Sequence, residues 1–168
     1  MDIFLLIVRI LLVVVIIIIG ITLLIKLSKR KSTNNSFIDE FINRGYKVFK
    51  SDNNNYDNIV TKDDKKYLVR YFKVPNNAEV SINNPSLIEV KYGGSSDPGK
   101  AQPFNRFHNE LGALMNMKVE DAVKVIIVYP NPKKIVQWIN ENEIILVDKK
   151  TKVYGNYFIT SKDFDFFN

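Results

Sequence analysis

Between Ile3 and Leu27 the chain is apolar except at Arg9, Gly20, Thr22 and Lys26, and this run limits what its first thirty residues can become. As a helix, residues 3–25 span roughly 35 Å, enough to cross a hydrocarbon core of about 30 Å. Gly20 is tolerated in such a helix, and Thr22 can return its hydroxyl to the preceding turn. Arg9 lies about 9 Å into the run and can snorkel to the near interface. A cleaved signal peptide fits poorly, because it needs a basic start, a short apolar region and a small-residue cleavage site. Here Asp2 opens the chain and Lys26, Lys29, Arg30 and Lys31 close the run. A buried core helix rarely leads directly into such a basic stop.

The sequence therefore predicts an uncleaved single-pass anchor whose partner is a lipid bilayer contacted through residues 3–25. The basic cluster places the C-terminal domain on the cytoplasmic side and Met1 outside, and it can touch anionic headgroups at about 1 kcal/mol per charge. The expected organisation is an anchor with its basic flank (1–31), a linker (32–36) and a globular domain (37–168).

Whole-chain averages hide this division. The 168 residues carry a net charge of +6 and are 46% hydrophobic, with a mean hydropathy of −0.09. Residues 1–31 hold five basic residues against Asp2, leaving 19 basic and 17 acidic residues for the remainder. A strongly basic nucleic-acid-binding domain is not indicated by that balance, so DNA is at most a weak expectation as a partner. The chain has no cysteine, which excludes a disulfide framework, zinc–thiolate and iron–sulfur sites and a cysteine nucleophile. Abundant Lys, Asn and Ile with few Arg and Ala match an AT-rich coding genome. With the small size, this raises the expectation of a viral membrane component.

After the linker, Ser36 and Asp39 form a capping-box pattern, and Phe37, Ile38, Phe41 and Ile42 share one face of a short helix that stops at Gly45. Tyr46–Lys50, Tyr56–Thr61 and Lys66–Val74 read as strands, the last two joined by a hairpin turn at residues 62–65. Glu79–Ile82 and Ser86–Tyr92 follow as strands, and residues 93–99 form a loose glycine-rich loop. The spacing of Phe104, Phe107, Leu111, Leu114 and Met115 predicts a helix over 103–117. Ala122–Tyr129 contains an apolar run typical of a strand buried on both faces. Residues 133–142 read as a helix turning Ile135, Trp138 and Ile139 inward, and Glu143–Val147 as a final buried strand, giving a right-handed parallel crossover. Tyr154–Thr160 reads as an edge strand, and Phe164, Phe166 and Phe167 as a tail docking on the core. The expected fold class is α/β, an α+β mixed sheet with helices on both faces in the order α-β-β-β-α-β-α-β.

This order and several local segments resemble the restriction-endonuclease-like fold, especially the Mrr-type endonucleases and archaeal Holliday-junction resolvases. The residues that carry the resemblance are Asn43-Arg44-Gly45-Tyr46 at the end of the first helix, Tyr56-Asp57-Asn58-Ile59-Val60 at the start of a strand, its partner Lys65–Val69, and Val125–Asp148. The resemblance implies an Asp and a Glu-x-Lys on adjacent strands, with two carboxylates binding Mg²⁺. The metal would polarise the phosphodiester and help to generate hydroxide, and the lysine would support the developing charge.

Two registers compete for the motif. By spacing after Asp57, Glu-x-Lys falls on Arg70-Tyr71-Phe72, which has neither residue and describes an inactive domain. By topology, the strand before the long helix supplies Glu89-Val90-Lys91. In that register Asp57, or Asp64 after a one-step shift, and Glu89 would hold Mg²⁺, and Asp57, Glu89 and Lys91 would form the catalytic set. Glu89 and Lys91 lie two apart and share one face of a strand, an arrangement also common on a solvated sheet. Gln102 is the nearest match to the glutamine that the resemblance places in the next helix. His108, the one histidine, has no partner at recognisable spacing and reads as a helix-surface residue. Trp138 reads as core. Two functions follow as expectations: a membrane-anchored protein with a degenerate nuclease-like binding or structural module, and alternatively an active membrane-tethered, Mg²⁺-dependent endonuclease.

Overall fold

The structure is a computed structural model that describes the backbone of residues 2–95 and 99–167. Within the first helix the described side chains are those of residues 9, 11–23 and 35–43. The chain forms two units, Met1–Arg44 and Gly45–Asn168.

The first unit is one helix, α1 (Asp2–Asn43). The sequence predicts a break at residues 32–36 and a new cap at Ser36, but the helix runs through both. No Gly or Pro stands between Ile21 and Asn43 to interrupt it, and a capping residue is needed only where a helix begins. Its stop is the expected one: Gly45 takes a φ of 80°, and the Arg44 amide donates to the Glu40 and Phe41 carbonyls. Phe37 and Phe41 are buried and Ile42 is exposed. Leu11 to Leu23 leave their large apolar side chains 45–59% exposed. Among the described residues, no helix is long and apolar enough to cross a membrane.

The second unit is mixed α/β and contains two mixed sheets rather than the single sheet expected. In the six-stranded sheet, β1 (Lys47–Lys50), β2 (Asn58–Lys62) and β3 (Lys65–Lys73) form the predicted antiparallel meander. β3 then pairs in parallel with β7 (Val123–Tyr129), β7 in parallel with β11 (Asn156–Thr160), and β11 with β10 (Lys152–Val153). The five-stranded sheet has the order β6 (Phe104–His108), β5 (Leu87–Tyr92), β4 (Glu79–Asn84), β8 (Lys134–Asn140), β9 (Glu143–Leu146). The only other helices described are α2 (Gly112–Asn116) and the 3-10 turn Phe164–Phe167.

Strand alternation explains how one core serves both sheets. Leu68 and Phe72 of β3, Ile126 and Val128 of β7 and Phe158 of β11 lie on one face of the larger sheet. They share a buried cluster with Val80, Ile82, Ile88, Val90 and Ile135 of the smaller sheet and with Leu111, Leu114 and Met115 around α2. The opposite face of β3 and β7 is buried too, at Val69, Val125 and Ile127. At one end of that face Tyr67 meets Phe167 edge-on at 5.1 Å, so the aromatic tail docks as expected.

Several further expectations differ from the structure. Residues 104–108 form a strand, not the first part of a helix, because β5 offers an open edge and β6 fills it antiparallel. The helical spacing of Phe104 and Phe107 had no core behind it: they are 67% and 59% exposed. Residues 134–140 are likewise a strand, rich in β-branched and aromatic residues, which pairs in parallel with β4. Trp138 and Ile139 are therefore on the surface rather than in the core, and β9 is an exposed edge strand instead of a buried one. The predicted crossover does not form, since β8 leaves β7 for the other sheet, and the strand read as an edge, β11, is interior.

Phe72 is fully buried where the two sheets meet, and its ring makes a T-shaped contact with His108. Phe72→Ala is expected to lower unfolding free energy by about 3–5 kcal/mol in denaturant titration, and Phe107→Ala by less than about 0.5 kcal/mol.

Candidate functional site

Asp57 immediately precedes β2 and is held by the backbone on both sides: its amide donates to the Val69 carbonyl and its carbonyl accepts from Ser51. Its carboxylate is directed at β3. Oδ2 accepts the Tyr71 amide at 2.8 Å, and Oδ1 accepts Arg70 Nη1 at 3.3 Å. The same guanidinium nitrogen also donates to the Asn54 carbonyl, which ties the preceding loop to this corner. The Tyr71 phenol is buried, and burial first, then the nearby Asp57 and Tyr129, push it above the ordinary tyrosine value. Asp57, one residue before β2, is thus a neighbour of Arg70-Tyr71 on β3, the residues at which the spacing register places the motif.

Glu89 and Lys91 are elsewhere, on β5 of the smaller sheet. They share one face, as their spacing predicts, and their charged groups lie 3.5 Å apart. Across the strands Glu89 stands opposite Ser81 and Phe107, and Lys91 opposite Glu79 and Asn105. The structure therefore does not bring Asp57 and Glu89 onto one sheet. Asp64 is exposed in the β2–β3 turn. Among the described residues no group of three or more His, Asp or Glu is placed to hold a metal ion. Mg²⁺ needs several hard oxygens converging on one point, whereas here one carboxylate is bonded to an arginine and the other to a lysine. The proposed ligands do not fit the ion.

His108 lies on β6, not on a helix surface. It is half-buried, with its ring centroid 5.2 Å from that of Phe72 in a T-shaped contact and its Nδ1 3.8 Å from the Glu110 carboxylate.

The polar end of the smaller sheet opens into a cleft of about 990 Å³ walled by Lys91, Lys133, Lys134, Glu79, Gln102 and the Gly93–Ser95 turn, among others. Lys91 and Gln102, both singled out from the sequence, share this wall. The turn needs glycine: Gly94 has a φ of 58°, and a Cβ there would come within 2.5 Å of the Ala101 and Gln102 backbone. Glu79 bridges Lys133 at 3.2 Å and Lys134 at 3.1 Å. Burial by itself raises the Glu79 carboxyl, but the two lysines outweigh it and hold the group below the ordinary glutamate value.

Sequence reading missed Lys124. It sits in β7, and its Nζ donates to the carbonyls of Leu114, Met115 and Met117 at 3.2, 2.8 and 2.8 Å. The Met115 and Met117 carbonyls at the end of α2 thereby gain a donor, and the Leu114 carbonyl, which also accepts the Met117 amide at 3.1 Å, gains a second. Burial, then the charge of Lys152, push the amine below the usual lysine value. Asn156, also buried, donates to the Tyr154 carbonyl at 2.6 Å beside this corner. The available signal was a single lysine inside the otherwise apolar segment Val123–Tyr129, just as Arg70 interrupts β3.

No protein-family model, no curated protein and no solved structure matches the chain.

A depressed carboxylate adds stability that is complete above its unfolded pKa and lost as pH falls through its folded one. Glu79 should therefore destabilise the domain on acidification below the ordinary glutamate value of 4.5. Glu79→Gln is expected to flatten that limb of a stability–pH curve by up to about 1 kcal/mol, the scale of a surface ion pair.

Proposed function

We propose that the chain is a single-pass membrane-anchored protein whose C-terminal domain is a binding or structural module on a nuclease-like frame without a working metal site. The observation that carries this reading is the Asp57–Arg70 ion pair at 3.3 Å. The antiparallel meander β1–β3 and the parallel β7 beside β3 recur in the order that the resemblance implies, with β4–β6 of the other sheet and the five-residue α2 inserted between them. On that frame Asp57 faces Arg70-Tyr71-Phe72, the register without Glu or Lys. A fixed guanidinium there supplies the positive charge that a nuclease would draw from its metal, but it cannot activate water.

The anchor is supported by the character of α1. Its side chains from Leu11 to Leu23 are apolar around the whole helix except at Gly20 and Thr22, and they are exposed. A helix apolar on every face has no solvated side, so it requires an apolar surrounding. With residues 3–10 and 24–25, the apolar run in the sequence reaches bilayer length. The basic residues 26–31 favour a cytoplasmic domain.

The expected outcome for the full chain in sealed vesicles is retention in the pellet after alkaline carbonate extraction. Release into the supernatant would refute the anchor. Supercoiled plasmid incubated with the full chain and Mg²⁺ should remain uncut, and Lys91→Ala should change nothing. Cleavage abolished by Lys91→Ala would establish the endonuclease instead.

A further inference from the structure

The four open sheet edges are not alike. β1 carries Lys47 and Lys50, β6 carries Arg106, and the two-residue β10 carries Lys152. A cation on an edge discourages pairing with another chain. β9 has its one charge, Glu143, at the first position, and Ile144, Ile145 and Leu146 follow at 57%, 40% and 68% exposure. Behind them on β8, the exposed Trp138 stands opposite Ile144, so the apolar surface continues onto the neighbouring strand, while Val136 opposite Leu146 is buried.

We infer that β9 is the contact through which two copies of this chain pair, antiparallel and about a two-fold axis at Ile145. The backbone fixes this register. The Val147 amide donates to the Ile135 carbonyl, so Val147 and Ile145 direct their backbone groups toward β8. The N–H and C=O of Ile144 and Leu146 consequently point to the open edge. A two-fold axis normal to the sheet keeps each residue on its own face, so Ile144 of one copy exchanges hydrogen bonds with Leu146 of the other. Trp138 and Ile144 of one copy then join Leu146 of the other in one apolar strip. Each Glu143 meets the other copy's Val147, and the two carboxylates are kept at opposite ends of the ladder. The five exposed side chains Trp138, Ile139, Ile144, Ile145 and Leu146 offer on the order of 500 Å² per copy. Complete burial of both surfaces would cover at most on the order of 1,000 Å², the lower limit of a specific interface, so the hydrogen bonds of the paired edges carry part of the contact. Tethering to one bilayer raises the effective concentration and favours so modest a contact. The partner assigned here deepens the reading of the domain as a binding or structural module and rests on it.

The absence of cysteine allows a clean test. In the pairing described, the two Ile145 residues form a non-hydrogen-bonded pair with Cα atoms about 4.5 Å apart, within disulfide reach. The full chain carrying Ile145→Cys, reconstituted in vesicles and mildly oxidised, should give at least tenfold more disulfide dimer than Phe49→Cys on the β1 edge. Adding the exposed substitution Leu146→Lys should reduce the dimer to the Phe49→Cys level. Equal yields at the two edges, or a yield indifferent to Leu146→Lys, would overturn the pairing. So would quenching of the single Trp138 by brominated lipid without a cross-link, since the bilayer would then be the occupant. Carbonate extraction of the same vesicles, with the cross-link repeated in detergent micelles, separates the two readings. Dimer in micelles from chain released by carbonate refutes the anchor alone, and chain retained without dimer refutes the pairing alone.

Discussion

The parallel pairing of β3 with β7 is the constraint on which the C-terminal domain depends. A parallel pair cannot be closed by a tight turn, so the chain must travel between the two strands. It uses that excursion, residues 74–122, to build three strands of the second sheet and α2. Because β3 and β7 are buried on both faces, one face is free to receive the second sheet while the other receives the aromatic tail. The open edges of β4 and β5 then determine the fate of two segments whose local pattern pointed elsewhere.

What was legible in the sequence was whatever its own neighbourhood decides. The β2–β3 hairpin was visible because two residues, Asp63 and Asp64, join strands of matching apolar pattern, and Asp63 takes the positive φ that such a turn requires. The Val125–Val128 run was legible because only a strand covered on both sides tolerates it. Residues 104–108 and 134–140 were not legible, because short apolar segments satisfy helical and strand spacing equally well. Their outcome is set by a distant edge needing a partner. The same reason hid the division into two sheets, since strand partners are absent from any local window.

The candidate site was half legible. Glu89 and Lys91 do share a face, and Asp57 does stand beside Arg70-Tyr71, one residue before the strand it was expected to begin. The separation of those two facts onto different sheets follows from the long-range pairing of β4 with β8, which no spacing along the chain records. Arg70 then gives the Asp57 corner a self-contained charge balance. A carboxylate that accepts one backbone amide and one guanidinium is a structural fastening between β3 and the loop before β2.

The Lys124 clip bears on how the domain can come apart. α2 has five residues, too few for a stable helix in water, and no side chain caps its first turn. Its last carbonyls are bonded to an amine that belongs to the central strand of the larger sheet. Loosening α2 without disturbing β7 would strand a buried cation, and loosening β7 would release the helix end. The two elements therefore belong to one cooperative unit: the helix is a bracket of the sheet, and the two open together.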